Sequence, residues 1–184
     1  MRITAGEHRG RILKVPEGDA VRPTTDKVRQ AIFNILKAYD LPEDAHVMDI
    51  FCGTGSLGLE SLSRGAVHAT FVEKQRDHLR FAQDNAAAMK IADQCTFIQK
   101  EAVQISMRAA SAAPATLAFL DPPYRMNLLP PALQALHDGG WLASGAIVVC
   151  EHEKNAAVAF PAAFTLIDQR PYGDTQISFL RYQA

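Results

Sequence analysis

The segment 46-HVMDIFCGTGSLGLESLSR-64 decides the architecture of this 184-residue chain. It begins as a strand candidate, 46-HVMDIF-51, and ends as a helical stretch, 56-SLGLESLSR-64, that Ser56 can cap and Gly65 can close. Between them Gly53, Gly55 and Gly58 fall in the spacing G-x-G-x-x-G. A strand that turns through glycines into a helix opens a doubly wound α/β unit, and its loop lies at the C-terminal sheet edge where ligands bind.

The remaining pattern extends that unit in both directions. Strand candidates recur at 69-ATFVEK-74, 95-CTFIQK-100, 116-TLAFLD-121 and 145-GAIVVCEH-152, with helical stretches at 76-RDHLRFAQDNAAAMK-90 and 130-PPALQALHD-138. Alternating strands and helices imply a mostly parallel sheet covered on both faces. Two final runs, 164-FTLIDQR-170 and 175-TQISFLRY-182, flank the turn 171-PYGD-174 and predict an antiparallel pair. Upstream, 26-DKVRQAIFNILKAY-39 is an amphipathic helix with Thr24 or Thr25 as its N-cap. The first twenty residues read as a β-hairpin, 2-RITAG-6 and 10-GRILKV-15, around a polar turn at Glu7, His8 and Arg9. The expected domains are therefore a hairpin extension over 1–20 and one α/β domain over 21–184.

Composition narrows the functional classes. Cys52, Cys95 and Cys150 are dispersed and form no CxxC, and the six histidines form no HxxxH or HExxH, so no metal site is expected. There is no apolar leader and no 18-residue apolar run, which points to a cytoplasmic protein without a membrane partner. The net charge is −1, but residues 1–37 hold eight lysines and arginines against four acids. A basic end on an acidic body is an electrostatic handle for phosphate.

The ligand of the glycine loop can be narrowed by the acids at the strand ends. Asp49, just before the glycines, is an awkward neighbour for a pyrophosphate and a good one for a cation. S-adenosylmethionine carries a sulfonium and an ammonium and no phosphate. Glu73, at the end of the second strand, can accept both hydroxyls of a ribose, which suits either a nicotinamide dinucleotide or S-adenosylmethionine. Glu101, at the end of the third, can meet an adenine amino group or stand exposed.

A second stretch carries the chemistry. In 120-LDPPY-124 an apolar strand stops at an acid and two prolines. Proline lacks an N–H and forces its predecessor to extended geometry, so the segment is a stiff loop holding a carboxylate, a carbonyl and a phenol ring in fixed relation. Alone, it is equally a rigid turn with a surface Asp and a half-buried Tyr.

The blocks 22-RPTTDKVRQAIFNIL-36, 47-VMDIFCGTGSLGLESLSRGA-66, 71-FVEK-74, 119-FLDPPY-124 and 172-YGDT-175, in that order, resemble the RsmD family of bacterial 16S rRNA guanine-N2 methyltransferases, and 1-MRITAGEHRGRILKVP-16 is similar to that family's N-terminal hairpin. The likeness covers essentially the whole chain, with one departure at Glu101, where the family generally has Asp. It implies a class I S-adenosylmethionine-dependent methyltransferase (Rossmann-like) fold, a seven-stranded sheet with the last strand antiparallel. It also implies S-adenosylmethionine as methyl donor and 16S rRNA, within a 30S subunit or assembly intermediate, as partner, with no DNA.

The residue roles follow as expectations. Asp121, Pro122 and Tyr124 are the catalytic set. Asp49, Gly53, Gly55, Glu73 and Glu101 bind the donor, and the resemblance adds Thr24 or Thr25 with Arg29. Arg2, His8, Arg9 and Arg11 on the hairpin contact RNA. A DNA adenine-N6 methyltransferase would use the same Asp-Pro-Pro-Tyr chemistry but usually needs a recognition insert, and a protein glutamine methyltransferase typically has Asn in place of the Asp.

Overall fold

The computed structural model describes residues 1–16, 25–124 and 126–184. Its elements are α1 (Asp26–Leu36), β1 (His46–Ile50), α2 (Ser56–Ser63), β2 (His68–Glu73), α3 (Arg76–Met89), β3 (Cys95–Gln99), β4 (Ala115–Leu120), α4 (Leu129–Asp138), β5 (Leu142–Glu153), β6 (Phe164–Tyr172) and β7 (Thr175–Tyr182). The strands form one sheet in the order β3-β2-β1-β4-β5-β7-β6. Strands β1 to β5 pair in parallel, and β7 runs antiparallel to both β5 and β6. This is the class I methyltransferase architecture that the sequence led us to expect.

Period-two alternation sorts the strand side chains between two cores. Val47, Phe71, Phe119, Val149 and Phe179 face α1, α2 and α3, which contribute Phe33, Leu59 and Ala82 among others. Met48, Ile50, Val72, Leu120, Val148 and Cys150 face α4, with its Leu133 and Leu136, and Trp141. No helix among the described residues is long and apolar enough to cross a membrane.

Boundaries differ from the sequence reading where backbone detail intervenes. α1 ends at Leu36 and tightens into a 3₁₀ turn over Lys37–Tyr39, a common way for a helix to finish. Thr25 is its N-cap, accepting from Val28 N at 3.3 Å. Ser56 is not a cap: Gly55, at φ 79, holds the cap position and Ser56 is the first helical residue, because the glycine loop needs the left-handed turn there. β5 starts three residues early, since Leu142 pairs with Ala115 before an irregularity that resumes the ladder at Leu117 and Ile147. A bulge of this kind has no hydrophobic signature.

α2 lies unusually close to the sheet. A Cβ added at Gly58 would sit 2.4 Å from Phe71 Cε1, so only glycine lets this helix rest on β2. At its other end α2 carries the N-terminal hairpin. That hairpin is closed by an Arg2–Ile12 bridge and by Ile3 N–H donating to Arg11 O and Gly10 N–H to Ile3 O. Glu7 N–H donates to Ser63 O and His8 N–H to Ser63 Oγ, while Ile3 and Leu13 enter the main core.

The docking depends on Gly6, whose φ is 83 and where a Cβ would come 1.7 Å from Ser63 O. Gly6→Ala is expected to cost about 1–3 kcal/mol through forced overpacking. Hydrogen exchange will check this: the Ile3, Glu7, Gly10 and Leu13 amides should lose protection while those in β1 and β4 keep most of theirs.

Candidate active site

Five parallel strands deliver their C-terminal ends to one edge, and a cavity of about 590 Å³ opens there. Its wall includes Phe51 and Gly53 after β1, Glu73 at the end of β2, Glu101 after β3, Asp121 to Tyr124 after β4, and Glu151 of β5. Apolar Val72, Ala102 and Val103 also line it, as do Lys74, Lys100 and His78. The volume falls within the range of small-molecule sites, roughly 300–1,000 Å³.

The loop after β1 is held by its neighbours. Gly53 N–H donates to Glu73 Oε2 at 3.1 Å and Gln75 N–H to Glu73 Oε1 at 2.9 Å, so the strand-end carboxylate is oriented by two backbone donors. Phe51 has φ 61, a left-handed conformation that costs a bulky residue free energy and is sustained here by Cys52 N–H donating to Val72 O. Glu101 is half exposed, with Lys74 Nζ at 3.9 Å.

The loop after β4 is equally constrained. Asp121 N–H donates to Ile50 O at 3.4 Å and Pro122 is buried. The Tyr124 hydroxyl lies 2.7 Å from Thr175 Oγ1 and donates to Glu151 Oε1 at 3.2 Å. Burial is the first cause that pushes this phenol up to about 12, with the Glu151 and Asp121 charges adding to it and the Thr175 hydrogen bond opposing, so it remains a neutral donor.

Known proteins share this architecture and, in part, this sequence. The family described as "Conserved hypothetical protein 95" matches residues 1–181. Ribosomal RNA small subunit methyltransferase D of Escherichia coli K12 is 38% identical over 184 residues, 100% of this chain and 89% of that one. The chain belongs to the RsmD family of rRNA methyltransferases.

The family member of the same name from Haemophilus influenzae is 32% identical, covering 100% of this chain and 93% of its own. Among solved structures, a putative methyltransferase from E. coli superposes with a TM-score of 0.86 at 36% identity, covering 100% of this chain and 98% of that one. An RNA methyltransferase from Salinibacter ruber, solved with S-adenosyl-L-homocysteine, shares the fold at a TM-score of 0.62 and 18% identity over 88% of this chain and 94% of that one.

In this RsmD-family chain the expected site residues do not all meet in one place. Gly53, Glu73, Glu101, Asp121, Pro122 and Tyr124 share the cavity wall. Gly55 caps α2, and Asp49 lies beneath the glycine loop, 3% exposed, accepting from Gly58 N–H at 2.8 Å. Asp49 therefore acts on the loop from below and not from the cavity wall. Thr25 caps α1, and Thr24 lies outside the described residues.

Arg29, expected at the donor site, is not part of the cavity wall. It is fully buried, its Nε 3.3 Å from Glu60 Oε2 and its Nη2 2.8 Å from Asp26 Oδ1, with Nη2 also donating to Arg2 O. The helical pattern put Arg29 on a polar face, and the hairpin covers that face. Arg2, Arg9 and Arg11 are exposed on the hairpin, with Arg2 Nε 3.7 Å from Asp26 and Arg11 donating to Ala88 O; His8 is half-buried. Sequence reading missed Glu151 and Thr175. Each was quoted within a strand or motif, but nothing local ties residues 124, 151 and 175 together.

Burial pushes the Asp49 carboxyl up to about 7; the Gly58 hydrogen bond opposes the rise and the Glu73 charge adds to it. An unfolded aspartate titrates near 3.8. Between about 4 and 7 the folded protein thus holds a proton that the unfolded chain has released, and stability from this group falls as pH rises. Asp49→Asn stays neutral and should lack that slope. The midpoint of wild type relative to the variant, followed by thermal unfolding, should decline from pH 4 to 7 and then level off.

Proposed function

We propose that this chain transfers the methyl group of S-adenosylmethionine to the exocyclic N2 of a guanine in 16S rRNA, in a small subunit or one of its assembly intermediates. The observation that carries this reading is the single cavity bounded by Gly53 and Glu73 on one side and by Asp121, Pro122 and Tyr124 on the other. Donor and acceptor sites would be contiguous. Family membership and the rRNA methyltransferase names of its relatives point the same way.

The cavity residues fit an adenosyl sulfonium. Glu73 keeps lone pairs for ribose hydroxyls beyond its two backbone donors, since a carboxylate offers about four acceptor sites. Val72, Ala102 and Val103 offer an apolar bed for a purine ring, and Glu101 stands at its rim. Glu73 and Asp121 favour a cation, and Asp49 beneath the loop would add to that field once ionised. S-adenosylmethionine supplies an electrophilic methyl group on a sulfonium.

The chain's own residues prepare the acceptor. The N2 lone pair of guanine is delocalised into the ring and must be localised to attack. With Asp121 and the Pro122 carbonyl each accepting one N–H, the nitrogen is drawn toward pyramidal geometry and its lone pair turned toward the methyl. The positive charge that develops on nitrogen then sits beside a fixed carboxylate, which is preorganised electrostatic stabilisation. Asp121 need not be a strong base, because proton loss can follow transfer. Tyr124 offers a stacking surface for the turned-out base, a contact worth about 1–3 kcal/mol.

The hairpin supplies the RNA-binding extension in this reading, with Arg2, His8, Arg9 and Arg11 approaching phosphates and an affinity that falls with salt. An rRNA substrate also implies work in the cytoplasm. Labelled methyl transfer to unmodified small subunits, with nucleosides identified by mass spectrometry, tests the assignment. Wild type should yield N2-methylguanosine, and Asp121→Ala should lose about 10²–10³-fold in kcat while still binding S-adenosylmethionine. Methylated adenosine among the nucleosides, or label found in ribosomal protein and not in rRNA, would assign the site to another acceptor.

A further inference from the structure

We propose that Glu151 is the residue that selects guanine, accepting the N1–H of the target base while Asp121 and the Pro122 carbonyl take its 2-amino group. This rests on the acceptor chemistry proposed above and adds the reader of the base edge.

The sheet puts the two acids side by side. Leu120 of β4 is in register with Cys150 of β5, so Asp121 and Glu151 are the next residues along adjacent parallel strands. Such strands run about 4.8 Å apart. Both residues line the cavity of about 590 Å³, and Glu151 with Pro122, Pro123 and Tyr124 also lines a smaller one of about 160 Å³, so these residues are shared by the two. Glu151 is 9% exposed. A carboxylate this buried is held in a fixed direction, and here the Tyr124 hydroxyl donates to its Oε1 while sharing a hydrogen bond with Thr175 Oγ1. The ring on which a base would stack and the acceptor that would read its edge are tied together.

The chemistry of that wall specifies its ligand. Two carboxylates and a carbonyl are acceptors only, so the edge that meets them must consist of donors. Guanine presents N1–H next to a 2-amino group, three hydrogens along one edge. Adenine presents its 6-amino group next to a bare N1, whose lone pair would face the Glu151 carboxylate. A primary amide offers its NH₂ and no second donor in the plane. Sites built to bond a ligand hydrogen reject analogues that lack it, because their buried polar groups are left unpaired.

The test compares guanosine with 2-aminopurine riboside at the acceptor position of rRNA reassembled into small subunits. Both carry a 2-amino group, but 2-aminopurine has no N1–H. The proteins are wild type, Glu151→Gln and Thr175→Val. Glu151→Gln preserves shape and can still accept from Tyr124, yet its amide can either accept from guanine N1–H or donate to the bare N1 of 2-aminopurine. Thr175→Val loosens Tyr124 without removing the edge acceptor.

Wild type should prefer guanosine by about 10- to 100-fold in kcat/KM, the scale of one hydrogen bond to a charged group. Glu151→Gln should bring that ratio to near unity, and Thr175→Val should lower both rates while preserving it. A wild-type ratio near unity, or a ratio that Glu151→Gln leaves intact, would overturn the assignment of Glu151 alone. If wild type binds S-adenosylmethionine but methylates neither subunit, the guanine reading itself fails and Glu151 loses its role with it.

Discussion

Parallel pairing of β1 through β5 is the constraint on which the rest depends. It sends five strand ends to one edge, so side chains from residues far apart in sequence meet there without any loop having to reach across the molecule. In this chain the cavity residues at or near those ends are Gly53, Glu73, Glu101, Asp121 and Glu151. An acid at four of the five makes the edge an acceptor-rich, cation-favouring surface. That property follows from topology and residue type together.

A buried charge cluster fastens the hairpin to this frame. Glu60, fully buried in α2, accepts from Thr4 N–H at 2.8 Å, Thr4 Oγ1 at 2.7 Å, Ala5 N–H at 3.1 Å, Arg29 Nε at 3.3 Å and Arg64 Nε at 2.8 Å. Burying these charges is costly, and the network is stable because the carboxylate is satisfied on every side; removing one partner of such a cluster typically costs about 3–5 kcal/mol. Its value to function lies in α2 itself, which carries the glycine loop at one end and the hairpin at the other. The candidate donor site and the candidate RNA contact are thus two ends of one short helix.

What could be read from the sequence was whatever local pattern determines. Buried parallel strands are apolar runs, so β1 to β4 were placed to within a residue, and the Gly173–Asp174 turn marked the final antiparallel pair. The Asp-Pro-Pro-Tyr loop was legible because proline dictates geometry by itself. Long-range pairings were not. The Arg29–Glu60 contact joins two helices, and a charged residue on a polar helical face gives no sign that another segment will cover it. The Tyr124–Glu151–Thr175 bonds unite three elements across fifty residues, and the β5 irregularity lies in backbone torsions that no side-chain pattern records.

In the proposed arrangement one cavity brings donor and acceptor together across the Gly53 and Asp121 loops. Its most direct test is a crystal structure with S-adenosylhomocysteine bound. The ligand is expected in that cavity, its ribose hydroxyls on the Glu73 carboxylate and its sulfur facing Asp121 and Pro122. Density for the ligand at any other surface, or in this cavity with the sulfur turned away from the Asp-Pro-Pro-Tyr loop, would contradict the shared-cavity arrangement.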